Sequence, residues 1–314
     1  MSLLRLGITG ASGFLGTSLL RQLSAQPDMR IVALTRTIGP HQKTPSSNIE
    51  WRQGDLASAR DCAAFVADTD VIVHLAHTNT PLTSNNDISS DATLNIVPTL
   101  TLLQAVRDAA SKPHVVYASS GGALYRPTDD RRPLTEESAL QPLTSYGILK
   151  LATERYLQMA AHEEWLTSTV LRIGNPYGIL LQSERLQGFI GVAIQRLLEQ
   201  LPIRIFGDIN NVRDYIHLDD VCRAFNVALV PPSDGYAVYN IGSGRGTSVR
   251  ELLAILEQIT GYRADVEHIE ASGAARLPPW VILDSAKVFR ELGWHPQIQL
   301  EDGIASMWEE ALKR

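Results

Sequence analysis

Short apolar runs recur at regular intervals through the first half of the chain. LRLGITG, MRIVALT, DVIVHLA, HVVYASS and STVLRI are nearly unbroken in apolar character, where a half-exposed strand would alternate. They read as strands buried on both faces. Between them lie segments of helical periodicity: Phe14 to Ala25, Ser58 to Ala67, Ala92 to Ala110 and Ser145 to His162. Strand then helix, repeated, predicts an α/β fold with a doubly wound parallel sheet and helices on both faces.

After Ile173 the alternation gives way to irregular stretches such as GNPYGILLQSERLQG and ALVPPSDGYAVYNIGSGRG. The expected division is therefore 1–174 for the first domain and 175–314 for a smaller second lobe. DYIHLDDV and YNIGSG, near 212–245, fit either one.

Composition narrows the partners. The 314 residues are 44% hydrophobic, enough for a sizeable core, and carry a net charge of −6. That balance argues against a nucleic-acid-binding surface and leaves room only for small, local positive sites. Two distant cysteines, Cys62 and Cys222, make no disulfide framework and fit a reducing compartment. No apolar run reaches membrane-spanning length, and MSLLRLGITG meets a glycine loop before any signal-peptide core forms. A cytoplasmic protein without membrane contact is expected.

GITGASGFLG carries the first chemistry. Gly10, Gly13 and Gly16 stand three apart between a strand and a helix opened by Phe14 and Leu15. Glycines so placed allow a tight turn, close approach of backbone N–H groups to a pyrophosphate, and close packing of helix on sheet. An ordinary glycine-rich turn would share the composition but not this strand-to-helix position. The fold expected is then a Rossmann-type doubly wound parallel sheet with a smaller C-terminal substrate-binding lobe.

Asp55, followed by Leu56, ends a further strand; it would either accept a hydrogen bond from an adenine amino group or cap the turn before Ser58. His74 and His77 flank Leu75 and Ala76, but residues three apart on a strand face opposite ways and no third ligand is near, so no metal site is expected.

SYGILK places Tyr146 and Lys150 at i and i+4, on one helical face. An ammonium beside a phenol favours phenolate and makes a group that ordinarily titrates near pH 10 usable as an acid/base near neutrality. An isolated Tyr-xxx-Lys is more often an inert surface pair. This one follows HVVYASS, at the sheet edge where a site belongs.

Taken together, these motifs resemble the extended short-chain dehydrogenase/reductases, within them the nucleotide-sugar epimerase, dehydratase and reductase group typified by UDP-glucose 4-epimerase. The match runs through Gly10–Gly16, Asp55, His74–Ala76, Asn95, Ser119–Ser120, Tyr146–Lys150, LRIGNPYG, RDYIHLDD, YNIGSG and LGWHP. The resemblance implies hydride transfer between a nicotinamide and C4 of a nucleotide-diphosphate hexose. Tyr146 would move the proton of the C4 oxygen, and Lys150 would tune it and hold the nicotinamide ribose. Leu56, Leu75 and Ala76 would line the cofactor. Asn175 matches the substrate-pocket asparagine, Arg213 the diphosphate-gripping arginine, and Arg276 a second phosphate arginine. Guanidinium forks suit phosphate oxygens; the competing reading of Arg213 is an ion pair with Asp214 or Asp219. The resemblance also implies a homodimer through the helices near 92–110 and 145–162.

Three departures matter. The group's Ser or Thr beside the reacting oxygen is Gly121 here, with Ala123 two residues on, leaving Ser120 as the nearest hydroxyl. Pro98 replaces a glycine, with an effect expected on a helix start or bend. RLPPW lacks the acidic residue that follows the arginine in relatives binding uridine nucleotides, and no Asp-Glu pair follows Ser120, which argues against dehydration.

IVALTRT decides the cofactor expectation. Thr35 and Arg36 stand where a carboxylate would bind the ribose diol of NAD(H), 19 residues beyond Gly16. Thr plus Arg suits a 2′-phosphate, so NADP(H) is favoured over NAD(H); an arginine merely projecting into solvent is the bland alternative. An epimerase returns its hydride and needs no exchangeable pool, whereas a reductase draws on one. The expectation is a 4-ketoreductase, with a 4-epimerase as alternative and a catalytically silent NAD(P)-binding protein third.

Overall fold

The computed structural model describes residues 3–39, 48–81, 83–127, 130–180, 188–269 and 278–313. The apolar runs become β1 (Leu4–Thr9), β2 (Met29–Thr35), β3 (Ile49–Gln53), β4 (Val71–His74), β5 (His114–Ser120) and β6 (Thr167–Ile173). Helices α1 (Phe14–Leu23), α2 (Ala59–Ala67), α3 (Ile88–Asp108), the short α4 (Gly121–Leu124) and α5 (Ser145–His162) connect them. With β10 (Tyr236–Ile241) at one edge, the strands order as β10-β6-β5-β4-β1-β2-β3. The pairs β1–β2, β2–β3, β1–β4 and β4–β5 are parallel. The chain runs outward from β1 to β3, then returns to β1's other side at β4. This reversal opens the crevice where doubly wound sheets bind ligands.

Helix ends follow local chemistry. Asp87 caps α3 by accepting from Ser90 N at 2.9 Å, so the helix starts at Ile88, earlier than the periodicity suggested. Pro98 lies in the interior of this helix rather than at its start. Thr144 caps α5 by accepting from Gly147 N, which sets where Tyr146 begins its turn.

Packing divides the chain into two compact units: Met1–Ser119, Thr144–Arg172 and Ala224–Tyr239, and then Ser120–Leu143, Ile173–Arg223 and Asn240–Arg314. Two segments fall otherwise than a cut at 174 would place them. Ser120–Leu143 goes with the second unit because Tyr125 donates to Asn240 Oδ1 (2.6 Å) and Leu134 exchanges backbone bonds with Ile282 and Asp284. Ala224–Tyr239 goes with the first, where Ala228 O meets His114 Nε2 at 2.9 Å. The first unit's core gathers Val32, Phe65, Ile72, Leu102, Val115 and Leu157.

The second unit holds β7 (Asn175–Tyr177), β8 (Ile203–Phe206), β9 (Val212–His217), β11 (Gly246–Ser248) and β12 (Val266–Ile269). Its helices are α6 (Phe189–Leu198), α8 (Val249–Thr260), α9 (Ala286–Leu292) and α10 (Leu300–Leu312); α7 (Leu218–Val227) begins in it. Among the described residues, β11-β9-β7 form one small sheet and β12-β8 another. Ile194, Leu252, Leu256, Ile304 and Met307 close the core. Among the described residues, no helix is long and apolar enough to cross a membrane.

Candidate active site

The glycine loop is built as the spacing demands. Gly10 has φ +69°, and a Cβ there would lie 2.7 Å from Ala76 N and 2.8 Å from Leu75 C. Thus β1's end presses against the backbone that follows β4, bringing Gly10 beside Leu75 and Ala76. A Cβ on Gly16 would collide with the carbonyls of Gly10 and Ala11. The N-cap Gly13 supplies no side chain and the first turn of α1 has no acid, so the amides that open the helix at Phe14 and Leu15 have no built-in anion.

On the same unit, Thr35 ends β2 buried, its hydroxyl donating to Thr37 O at 3.0 Å. Arg36 is exposed, and among the described residues its guanidinium has no partner. Asp55 Oδ1 accepts from Ala57 N at 2.9 Å, so the turn-capping role is realised; Leu56 beneath it is buried.

Tyr146 and Lys150 meet as expected. The Lys150 ammonium donates to Ala118 O at 2.8 Å and lies 4.9 Å from the Tyr117 ring centroid and 5.6 Å from that of Tyr146. Burial pulls its pKa down to about 7, against the upward pull of Glu154. That carboxylate is engaged by Arg172 at 2.8 Å and by Ser119 Oγ at 2.5 Å, so it tempers the ammonium without neutralising it.

Sequence reasoning missed what holds the tyrosine. Asp91, fully buried, accepts from Ser145 Oγ (2.6 Å), Asn79 Nδ2 (2.8 Å) and Asn95 Nδ2 (2.8 Å). Asn85 Oδ1 takes Ser145 N at 2.8 Å, and Asn95 Oδ1 takes Thr78 N at 2.8 Å. One carboxylate on α3 therefore anchors both the start of α5 and the segment after β4. The available signal was Asp91, Asn95 and Thr99, three polar residues at i, i+4 and i+8 on a helix face that continues as Leu102, Leu103 and Val106. The nitrogens of His74 meet Thr9 Oγ1 (2.7 Å) and Thr99 Oγ1 (3.1 Å), and burial, then the Lys150 charge, pull its pKa to about 3.

The second unit carries Ser120, Asn175 and Arg213. Ser120 is the N-cap of α4 and makes no side-chain cap bond. A Cβ on Gly121 would lie 2.5 Å from Leu283 Cδ1, so the space that a hydroxyl-bearing side chain would need is filled by leucine. Asn175 Oδ1 lies over Gly122, 3.3 Å from where a Cβ would stand. Asn175 opens β7 opposite Tyr215 of β9, two residues beyond Arg213.

Arg213 donates to Val212 O at 2.8 Å, and among the described residues no carboxylate pairs with it. Asp214 instead receives Ser243 N, Ser243 Oγ, Gly244 N and Leu283 N, while Asp219 lies 3.8 Å from His217. Burial depresses the Arg213 pKa, the mark of a poorly solvated cation. Arg276 lies outside the described residues.

The sequence profile of the NAD dependent epimerase/dehydratase family matches residues 6–242. The chain belongs to that family. It is 33% identical to the UDP-glucose 4-epimerase of Mycolicibacterium smegmatis over 96% of both chains. It is 30% identical to the dTDP-4-dehydro-6-deoxyglucose reductase of Escherichia coli over 95% of this chain and 94% of that one. The solved UDP-glucose 4-epimerase of Thermotoga maritima with UDP-glucose superposes with a TM-score of 0.89 at 28% identity over 99% of each chain. The chain thus shares the Rossmann-type fold of an NAD-dependent family whose members include nucleotide-sugar epimerases and reductases. The family's dinucleotide fits the glycine edge: a cradle that any Cβ would fill, opening on helix amides with no competing acid.

Proposed function

We propose that this chain reduces a 4-keto nucleotide-diphosphate sugar at C4 with NADP(H). The end of β2 carries the reading: a buried Thr35 and an exposed Arg36, its guanidinium without a partner among the described residues, where a carboxylate would repel a 2′-phosphate. When bound, the dihydronicotinamide supplies hydride to the carbonyl carbon. The Tyr146 hydroxyl then gives its proton to the oxygen, so that ketone, hydride and proton balance to alcohol. Lys150 holds the nicotinamide ribose and offsets the phenolate until solvent reprotonates it. Arg213 grips the diphosphate, with Arg276 as a second cation; Asn175 and the Ser120 hydroxyl orient the sugar.

A second reading, a 4-epimerase with tightly held NAD(H), is supported by the similarity to the mycobacterial epimerase, no lower than that to the reductase. Following NADPH oxidation, with NADH as control, across a panel of 4-keto sugar nucleotides separates the two. Net oxidation with NADPH preferred supports the reductase; interconversion without net cofactor use removes it. Arg36→Ala leaving the NADPH preference intact would show that Arg36 has no part in it.

A cytoplasmic homodimer belongs to the same proposal. Leu94 and Val97 on α3, each 48% exposed, and Ile148 (54%) and Met159 (42%) on α5 form apolar surface suited to a second copy. Light scattering would show a dimer, and Leu94→Asp with Met159→Asp a monomer.

A further inference from the structure

His77 follows β4 with its imidazole edge-on to Tyr146, ring centroids 4.9 Å apart and planes at 88°. Its Nε2 is buried and has no hydrogen-bond partner among the described residues. A buried polar atom left in that state costs about 1–3 kcal/mol, so its retention beside the acid/base asks for a ligand partner. Its position is also fixed. Thr78, the next residue, bonds Asn95 Oδ1 through both N (2.8 Å) and Oγ1 (3.1 Å), and Asn95 is held by the same Asp91 that receives Ser145, the neighbour of Tyr146. His77 and Tyr146 thus share one anchor. The sequence, moreover, has glycine at position 121, where the resembled group has a Ser or Thr.

We propose that His77 Nε2–H is the second hydrogen-bond donor, beside Tyr146, to the C4 oxygen of the nucleotide sugar. This rests on the C4 chemistry proposed above. Burial, then the Lys150 charge, then His74 push the imidazole's pKa down to about 2, so it stays neutral and only donates a hydrogen bond. Tyr146 remains the proton source. Negative charge grows on the oxygen as hydride arrives, so a fixed donor there is worth more in the transition state than in the ground state.

The test compares His77→Phe and His77→Gln in the full-length enzyme on a 4-keto sugar nucleotide that the wild type reduces. Phenylalanine keeps a ring against Tyr146 but removes the donor: kcat should fall about 10²-fold, with KM changed less. Glutamine, which returns an N–H, should recover part of the loss. Two further readouts are independent of turnover. The NADPH affinity of His77→Phe, followed by nucleotide fluorescence, should match wild type, and its Tm should be equal or higher because an unpaired buried nitrogen is gone. Wild-type kcat in His77→Phe, a loss confined to NADPH affinity, or a lowered Tm would each overturn the proposal. If the wild type epimerises rather than reduces, the reductase reading fails, while a similar loss of epimerisation rate in His77→Phe would still support His77 at the C4 oxygen.

Discussion

Under the proposed function, the glycine edge at β1 and the arginine edge at β9 would meet anions by opposite means. At β1 the pyrophosphate would be met by backbone: Gly10 and Gly16 leave no space for a Cβ, and the α1 amides carry partial positive charge with no acid in the first turn. At β9 a full charge is kept: Arg213 is half-buried, its pKa depressed by desolvation, and it donates to Val212 O. A backbone site is preorganised at little cost in stability, whereas a desolvated guanidinium is paid for by the fold until a ligand neutralises it. Substitutions should therefore trade binding against stability differently at the two edges.

The largest effect is expected at the backbone edge. Gly16→Val drives a branched side chain into the Gly10 and Ala11 carbonyls, 2.6 Å from Ala11 O already at Cβ. Dinucleotide affinity should fall by at least about 10²-fold, and Tm should fall with it, since the strain belongs to the fold. Fluorescence titration with NADPH, beside a thermal melt, checks both; a Gly16→Val protein with normal affinity would mean that close helix approach is not what binds the pyrophosphate.

Arg213→Ala should divide these effects. Losing a charge-assisted contact worth about 1.5–3 kcal/mol raises KM for the sugar nucleotide roughly 10- to 100-fold, while Tm holds or rises because a desolvated cation has left. A fall in Tm of several degrees would point to a structural ion pair and remove the contrast between the edges.

The same contrast explains which features were legible. Strands β1, β2, β4, β5 and β6, the glycine loop and the Tyr146–Lys150 pair obey rules of spacing within a few residues, so a single stretch of sequence reveals them. The Asp91 network does not: Asn79, Asn85, Asn95 and Ser145 come from three segments and become partners only when α3 and α5 pack. Nor could sequence show that Leu283 fills the space over Gly121, or that Asp214 is occupied by Ser243, Gly244 and Leu283 and leaves Arg213 without a carboxylate partner among the described residues. Asp55 is a middle case, since its Asx turn is local but equally compatible with either reading.

A smaller effect is expected where the family's hydroxyl is missing. Gly121→Ser puts Cβ 2.5 Å from Leu283 Cδ1 and should cost about 1–3 kcal/mol without raising activity. Leu283→Ala should then cost less on the Gly121→Ser background than on wild type, because the serine occupies part of the space. Equal costs on the two backgrounds, read from denaturant melts, would show that leucine does not exclude the hydroxyl.

The last effect tests whether the first unit also carries a charge at the expense of stability. Lys150 is buried, and its pKa falls from 10.5 to about 7. Between those values the unfolded chain binds the extra proton, so stability rises with pH through that window, and below it the full penalty of the buried ammonium applies. Lys150→Met keeps the stem but cannot donate to Ala118 O, a loss of about 1 kcal/mol at every pH. The variant should therefore compare best with wild type at pH 6 and progressively worse towards pH 10, while lacking activity throughout. Calorimetric melts of both proteins across that range read the difference directly, cancelling groups common to both. A difference in Tm that does not change with pH would mean that Lys150 titrates alike in both states, and that the penalty for buried charge is confined to Arg213.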